Sequence, residues 1–241
     1  RKCHFCGCTS IVRPQTEEVG ADYLDLLERE MHLRRPHFEG RHTTQLHFGG
    51  GTPTFLAPEQ LVRTSRALLT MMPPRDDFEF SIELDPGLCT REHLLALREI
   101  GLNRVSLGVQ DFDAEVQQLI GRGQTEAETE QAIRWSLDAG LSFVNVDLVY
   151  GLPGQTLETF DRSIDRLLSM GATRVAVYSY AHVPWVRPNQ RRIDVSRLPE
   201  PSLKLELYLL AYDKLTRAGF TAIGMDHFAK PSDALAVAKR Q

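Results

Sequence analysis

Apolar residues recur along the chain with two alternating periods, one of about 3.6 and one of about 2, and this rhythm predicts the architecture. Leu24, Leu27 and Met31 share a helical face, and 45–48 reads as a short strand running into Gly49-Gly50-Gly51-Thr52-Pro53-Thr54. Pro58 suits a first helical turn, and Leu61, Leu68 and Leu69 continue that helix. The alternating run 78–86 is a second strand, and Thr90 caps a helix through Leu94, Leu97 and Ile100 that Gly101 ends. Strand 104–110 follows, then a helix whose Thr125 and Glu128 match a capping box ahead of Ile133 and Leu137. Strand 144–152, a helix holding Phe160, Ile164, Leu167 and Leu168, and strand 174–180 complete the rhythm.

Strand and helix alternating in units of roughly thirty residues imply parallel strands with crossover helices, in a doubly wound sheet or a barrel. Polar residues at nearly every strand end favour a barrel mouth, and in such folds chemistry collects at the carboxyl ends of the strands. From Pro199 the pattern changes to a long helix through Leu203, Leu207, Leu210 and Leu215, stopped by Gly219, and then to 223–228. The chain therefore divides into a partial barrel over 1–198 and the start of an appended element over 199–241.

Composition changes this picture little. The 241 residues are 42% hydrophobic and 25% charged with a net charge of -4, ordinary for a domain with a real core. No broad basic surface for nucleic acid is implied. No signal peptide, transit peptide or apolar run long enough to span a bilayer is visible, so a cytoplasmic location without membrane attachment is expected.

Cysteine placement adds the chemistry. Cys3, Cys6 and Cys8 form a Cys-x-x-Cys-x-Cys run, too close together to staple distant segments, so they read as soft thiolate ligands for a metal or cluster. A structural zinc knuckle is the plainer alternative, since zinc also takes thiolates. Cys89 stands alone and reads as an inert small residue. The glycine triplet lets backbone approach a ligand closely or simply makes a tight turn. Glu83, Gln110 and Asp147 lie near the ends of three different strands, where a buried polar group without a partner costs about 1–3 kcal/mol. His47, His182 and His227 read as hydrogen-bonded structural residues before they read as ligands, and Arg187, Arg191 and Arg192 follow the fifth strand as candidate anion partners or an ordinary exposed loop.

Taken in order, the cysteine run, Gly-Gly-Gly-Thr-Pro-Thr, Ser81-Ile82-Glu83, Ser106-Leu107-Gly108-Val109-Gln110-Asp111-Phe112, the segment from Val146 to Gln155 and Gly224-Met225-Asp226-His227-Phe228-Ala229 resemble the oxygen-independent coproporphyrinogen III dehydrogenases of the radical S-adenosylmethionine superfamily. The resemblance implies an α/β fold, a partial (β/α)6 radical SAM barrel that lacks its first strand in this chain. It implies a 4Fe-4S cluster on three cysteines, with Cys3 and Cys6 as the second and third ligands and the first preceding Arg1. It assigns Phe5, Gly50, Gly51, Thr52 and Glu83 to contact with one S-adenosylmethionine. Gln110, Arg122, Asp147 and Ala181 match contacts to a second. Cys8 is not a cluster ligand in that family, and either acts directly on substrate as a catalytic residue or packs near the site. The activity implied is cleavage of S-adenosylmethionine by one electron, hydrogen abstraction from a propionate side chain of coproporphyrinogen III, and loss of carbon dioxide and one electron to leave a vinyl group. Two such rounds give protoporphyrinogen IX. An electron donor, an electron acceptor and a monomeric state are expected. A haem-binding, chaperone-like protein on the same barrel, or an inactive fragment, are the alternatives.

Overall fold

Each apolar run becomes a strand because a helix long enough to carry the chain back across the sheet follows it. The computed structural model describes residues 3–8, 11–141 and 143–241. Strands β1 (Thr43–Phe48), β2 (Pro74–Leu84), β3 (Arg104–Gln110), β4 (Phe143–Tyr150) and β5 (Arg174–Ser179) lie side by side in that order, all parallel. Helix α1 (Glu17–Arg34) precedes β1, and α2 (Pro58–Met71), α3 (Arg91–Arg98), α4 (Ala114–Leu119), α5 (Glu126–Asp138) and α6 (Leu157–Ser169) fill the crossovers. The long α7 (Pro201–Arg217) leads into a hairpin of β6 (Thr221–Gly224) and β7 (His227–Ala229), and α8 (Ala234–Arg240) ends the chain. Because β7 pairs antiparallel with β5, and β6 with β7, seven strands form one curled half-barrel sheet.

Local chemistry explains the boundaries. Thr90 and Thr125 cap α3 and α5 by accepting from the backbone N–H three residues on, as the sequence predicts. Strand β2 starts at Pro74, before the expected 78: Pro74 pairs with Thr43 ahead of a register shift, and the first four residues are all exposed, so no apolar alternation marks them. Strand β4 stops at Tyr150 and not at 152: Gly151 turns to φ +85°, and a Cβ there would stand 2.7 Å from the Lys204 side chain. The single run expected over 223–228 is split by a two-residue turn, Met225 and Asp226, with φ of 48° and 66°.

The main core joins Phe80, Ile82, Val105, Leu107, Val146 and Val177 of the sheet to Leu94, Leu97, Phe160 and Ile164 of the helices. Burying each large side chain of this kind contributes about 1.5–3 kcal/mol. A smaller cluster of Val116, Ile120, Val149, Leu152, Tyr180 and Ile193 sits apart, and Phe5 packs against it. At the amino ends of β3 and β5, buried Arg104 donates to Glu79 at 2.8 Å and to Asp233 at 3.1 Å, and Arg174 donates to Asp233 at 2.5 Å. Asp233 also caps α8, so one carboxylate bolts the last helix to the base of the sheet.

Candidate active site

The cysteine loop rests on the smaller cluster. His4 N–H donates to the Ile120 carbonyl at 2.8 Å, and the His4 ring lies over Gly121, where a Cβ would meet ring atoms at 2.6–2.8 Å. Gly121 also has φ +66°, so both the close approach and the backbone require glycine. A second hold comes from a short 3-10 turn, Pro188–Arg192. Asn189 Nδ2 donates towards the carbonyls of Cys3, His4 and Cys6 at 3.1, 2.9 and 3.0 Å, and Gln190 Nε2 donates to Phe5 and Ala181 carbonyls at 3.0 and 3.1 Å.

Two sulfurs of the loop receive hydrogen bonds. The Cys8 N–H donates to Cys6 Sγ at 3.4 Å, and Arg122 Nη1 donates to Cys3 Sγ at 3.8 Å. Burial pushes the Cys3 thiol up, and the Arg122 guanidinium opposes that shift. Cys3, Cys6 and Cys89 form no disulfide, in keeping with the reading of the run as something other than a disulfide framework. Among the described residues no three His, Cys, Asp or Glu side chains converge on a metal position. Cys3 and Cys6 offer soft thiolate donors of the type an iron-sulfur cluster takes, and their N–H···S bonds are of the kind that tune such a cluster. Cys89 is buried and its thiol is pushed up to about 12 by burial, as an inert residue should be.

The strand ends bring the polar residues together. Glu83 Oε2 accepts from Gly50 N–H at 3.2 Å, and Glu83 Oε1 stands 3.5 Å from His47 Nε2. His47 Nδ1 is 2.8 Å from the Ser81 hydroxyl, so this histidine is a hydrogen-bonded member of the strand face. A Cβ at Gly49 would meet His47 Nε2 at 2.7 Å and Glu83 Oε1 at 3.0 Å, which explains the first glycine of the triplet. Gly50 takes φ +110°, Gly51 is exposed, and Thr52 Oγ1 donates back to the Gly51 carbonyl at 2.8 Å.

Strand β3 ends in a bulge. Its register slips between Gly108 and Gln110, and Gln110 adopts φ 72°, unusual for a residue with a side chain. The strain re-aims the buried Gln110 side chain back over Gly108, where a Cβ would meet its Nε2 at 2.8 Å and Arg122 Nη2 at 3.4 Å. Arg122 is not a solvated helix-end charge: its side chain is 11% exposed, donating to the Gly108 carbonyl at 2.6 Å and to Gln124 at 2.7 Å. Opposite Gly108 on β4 stands Asp147, accepting from Asn145 Nδ2 at 2.8 Å and the Ser106 hydroxyl at 3.3 Å. Burial pushes Asp147 up to about 6, against the pull of those two donors and with the negative charge of Glu83 adding to the rise.

The hairpin supplies the remaining wall. His227 Nδ1 is 2.7 Å from the Met225 carbonyl, and its Nε2 faces the Tyr178 hydroxyl at 3.5 Å. Tyr178 is raised by burial and by the charges of Asp147 and Glu83, which places it on the same electronegative face. His182 is paired with the Tyr180 hydroxyl at 2.8 Å. Ala181 lies exposed just past β5, while Arg191 and Arg192 are exposed and Arg187 is half-buried.

Asn189, Gln190, Ser106, Asn145 and Tyr178 were not singled out by sequence reasoning. Ser106 and Asn145 carried a signal, a polar side chain at mid-strand two positions from a glycine or an acid. Asn189 and Gln190 carried none, because polar residues in a Pro-flanked loop are ordinary.

Comparison with known proteins decides the family. Residues 1–167 match the Radical SAM superfamily. The chain belongs to that superfamily. This radical SAM chain is 43% identical over 239 residues to the oxygen-independent coproporphyrinogen III oxidase of Escherichia coli K12, covering 99% of this chain and 52% of that protein. It is 39% identical over 242 residues to the protein of the same name from Synechocystis, covering 100% of this chain and 52% of the relative. The chain thus spans about half the length of the curated relatives it matches. The solved structure of coproporphyrinogen III oxidase from Escherichia coli, described as a radical SAM enzyme, superposes with a TM-score of 0.95 at 43% identity, covering 100% of this chain and 55% of that one. Streptococcus suis SuiB bound to S-adenosylmethionine, at 15% identity and a TM-score of 0.56, covers 90% of this chain and 45% of its own, and shares the fold alone.

Proposed function

We propose that the protein to which this chain belongs carries out the radical SAM oxidative decarboxylation of two propionate side chains of coproporphyrinogen III to vinyl groups, giving protoporphyrinogen IX in haem and porphyrin biosynthesis. The observation that carries this reading is the 43% identity along 99% of the chain to an oxygen-independent coproporphyrinogen III oxidase. It is supported by the gathering of Glu83, Gln110, Arg122 and Asp147 beside the cysteine loop.

In this reading Cys3 and Cys6 hold a 4Fe-4S cluster together with a cysteine preceding residue 1. When bound, the cluster and S-adenosylmethionine supply low-potential electrons and the means to abstract hydrogen from an unactivated carbon. Phe5, Gly50, Gly51, Thr52 and Glu83 bind one S-adenosylmethionine, with Gly50 N–H and the Glu83 carboxylate already paired and available to exchange that bond for a ligand's carboxylate and amino groups. Gln110, Arg122, Asp147 and Ala181 bind a second. Asp147, oriented by Asn145 and Ser106, is suited to accept from a sugar hydroxyl, and Arg122 to face a carboxylate. In this reading Cys8, exposed at the edge of the loop, acts on substrate.

The same reading divides the chain at 198/199, between the parallel strands and the α7-hairpin element, and treats the protein as a cytoplasmic monomer without nucleic-acid or membrane partners, served by an electron donor and an electron acceptor. Among the described residues no helix is long and apolar enough to cross a membrane. The test is an anaerobic assay of the whole protein with coproporphyrinogen III. Two carbon dioxide molecules and two vinyl groups per substrate are expected. Formation of 5'-deoxyadenosine without any vinyl product overturns the substrate assignment.

A further inference from the structure

The cysteine loop has no helix or strand of its own, yet four successive carbonyls, those of Cys3, His4, Phe5 and Cys6, accept hydrogen bonds from two neighbouring side chains. The amide orientations are determined by their surroundings. Gln190 Oε1 accepts from Val183 N–H at 2.6 Å, so its nitrogen must face the Phe5 and Ala181 carbonyls. Asn189 has its nitrogen within 3.1 Å of three carbonyl oxygens, and a flipped amide would set oxygen against all three. Two hydrogens serve three acceptors there, so one is shared. Gln190 is 3% exposed, which leaves little water to substitute for it.

We propose that Asn189 and Gln190 are positioning residues that hold the cysteine loop in its ligating conformation before metal arrives, coupling it to the end of β5 through the Ala181 carbonyl. The proposal rests on the reading of Cys3 and Cys6 as cluster ligands. A loop left to be ordered by the metal would lose backbone entropy on binding and weaken the site; one already held by the protein does not. The same clamp makes the cysteine loop and the Phe5 and Ala181 positions one mechanical unit, so a displacement of the loop moves both walls of the cofactor site.

The test uses the full-length protein with Asn189→Asp and Gln190→Glu, which keep shape and replace the donors by carboxylate oxygens, beside the uncharged Asn189→Ala and Gln190→Met in case the acids do not fold. In the metal-free protein, amide exchange in the peptide covering residues 3–8 is expected to rise by about tenfold or more while that of β2–β4 stays unchanged. After reconstitution, chelator is expected to strip iron about tenfold faster and the midpoint potential to move from the wild-type value, because ligand orientation tunes a cluster. Unaltered loop exchange in all folded variants overturns the proposal, as does faster exchange with wild-type iron retention and potential. If the wild-type protein takes up no iron, the cluster reading fails, and the exchange measurement on metal-free protein still decides whether Asn189 and Gln190 hold the loop.

Discussion

Arg122 joins Cys3 to the end of β3: Nη1 donates to Cys3 Sγ at 3.8 Å while Nη2 donates to the Gly108 carbonyl at 2.6 Å. Gly108 lies beside the register shift that re-aims Gln110, so one planar guanidinium spans the cysteine loop and the bulge.

Replacing that fork has a two-part consequence. Arg122→Ala leaves the Gly108 carbonyl without this donor, with an expected stability loss of about 1–3 kcal/mol in urea unfolding. It also removes a cation and a donor from the Cys3 sulfur, so a reconstituted cluster is expected to titrate at a more negative potential. Arg122→Lys keeps the charge and should recover part of the potential without recovering the stability. A potential unchanged in Arg122→Ala would show that the contact with Cys3 does not persist in the loaded protein.

Asp147 predicts a pH dependence of definite sign. Burial raises its carboxyl from 3.8 to about 6, so between those values the folded state holds a proton that the unfolded state has released. Its contribution to stability therefore falls as pH rises from about 4 to about 6 and stays lowered above that. Asp147→Asn, neutral throughout, is expected to be more stable than wild type at pH 7 by about 2 kcal/mol, with no gain at pH 4, while binding S-adenosylmethionine about tenfold more weakly. Denaturation at both pH values together with calorimetric binding checks this. Equal stability differences at the two pH values would remove the assignment.

What was legible in the chain follows from where the forces are local. The five parallel strands were visible because a buried sheet needs long apolar runs, and α3 and α5 because Thr90 and Thr125 satisfy their first N–H groups from adjacent sequence. The candidate site residues Glu83, Gln110 and Asp147 stood out as polar groups near the ends of such runs. By contrast α4 has six residues, too few to show a helical period. The hairpin turn was hidden because Met225, unlike Asp226, is not a residue type that positive φ favours. Asn189 and Gln190 act on carbonyls about 185 positions away, a relation no local pattern records.

That turn is itself testable. Met225 and Asp226 hold φ of 48° and 66°, and Met225 is 92% exposed, so neither conformation nor burial rewards a methionine at 225. Replacing the pair by Asn-Gly, which takes such angles readily, should stabilise the hairpin by about 1 kcal/mol, seen as a higher denaturant midpoint at constant m-value. A lower midpoint would mean that Met225 or Asp226 makes contacts outweighing the backbone strain.

Behind the mouth, fully buried Asp111 locks the strand ends from the other side. Its Oδ1 accepts from the Ser163 hydroxyl at 2.6 Å and Asp113 N–H at 2.8 Å, and its Oδ2 accepts from Gln155 Nε2 at 2.6 Å. Gln155 in turn donates to the Val149 carbonyl at 2.9 Å and accepts from Leu152 N–H at 2.8 Å, so the carboxylate ties the exits of β3 and β4 to α6. Burial pushes the Asp111 carboxyl up, and its three donors hold it down. Asp111→Ala removes the acceptor of all three bonds and is expected to cost about 3–5 kcal/mol. Asp111→Asn keeps an acceptor on one side but turns N–H against a donor on the other, and should cost about half as much. Urea unfolding of both variants, with S-adenosylmethionine affinity measured on whichever stays folded, separates the roles: a network that only supports the strand ends lowers stability and affinity together, in proportion to the donors left unpaired. An Asp111→Asn protein as stable as wild type would show that the three bonds contribute nothing net.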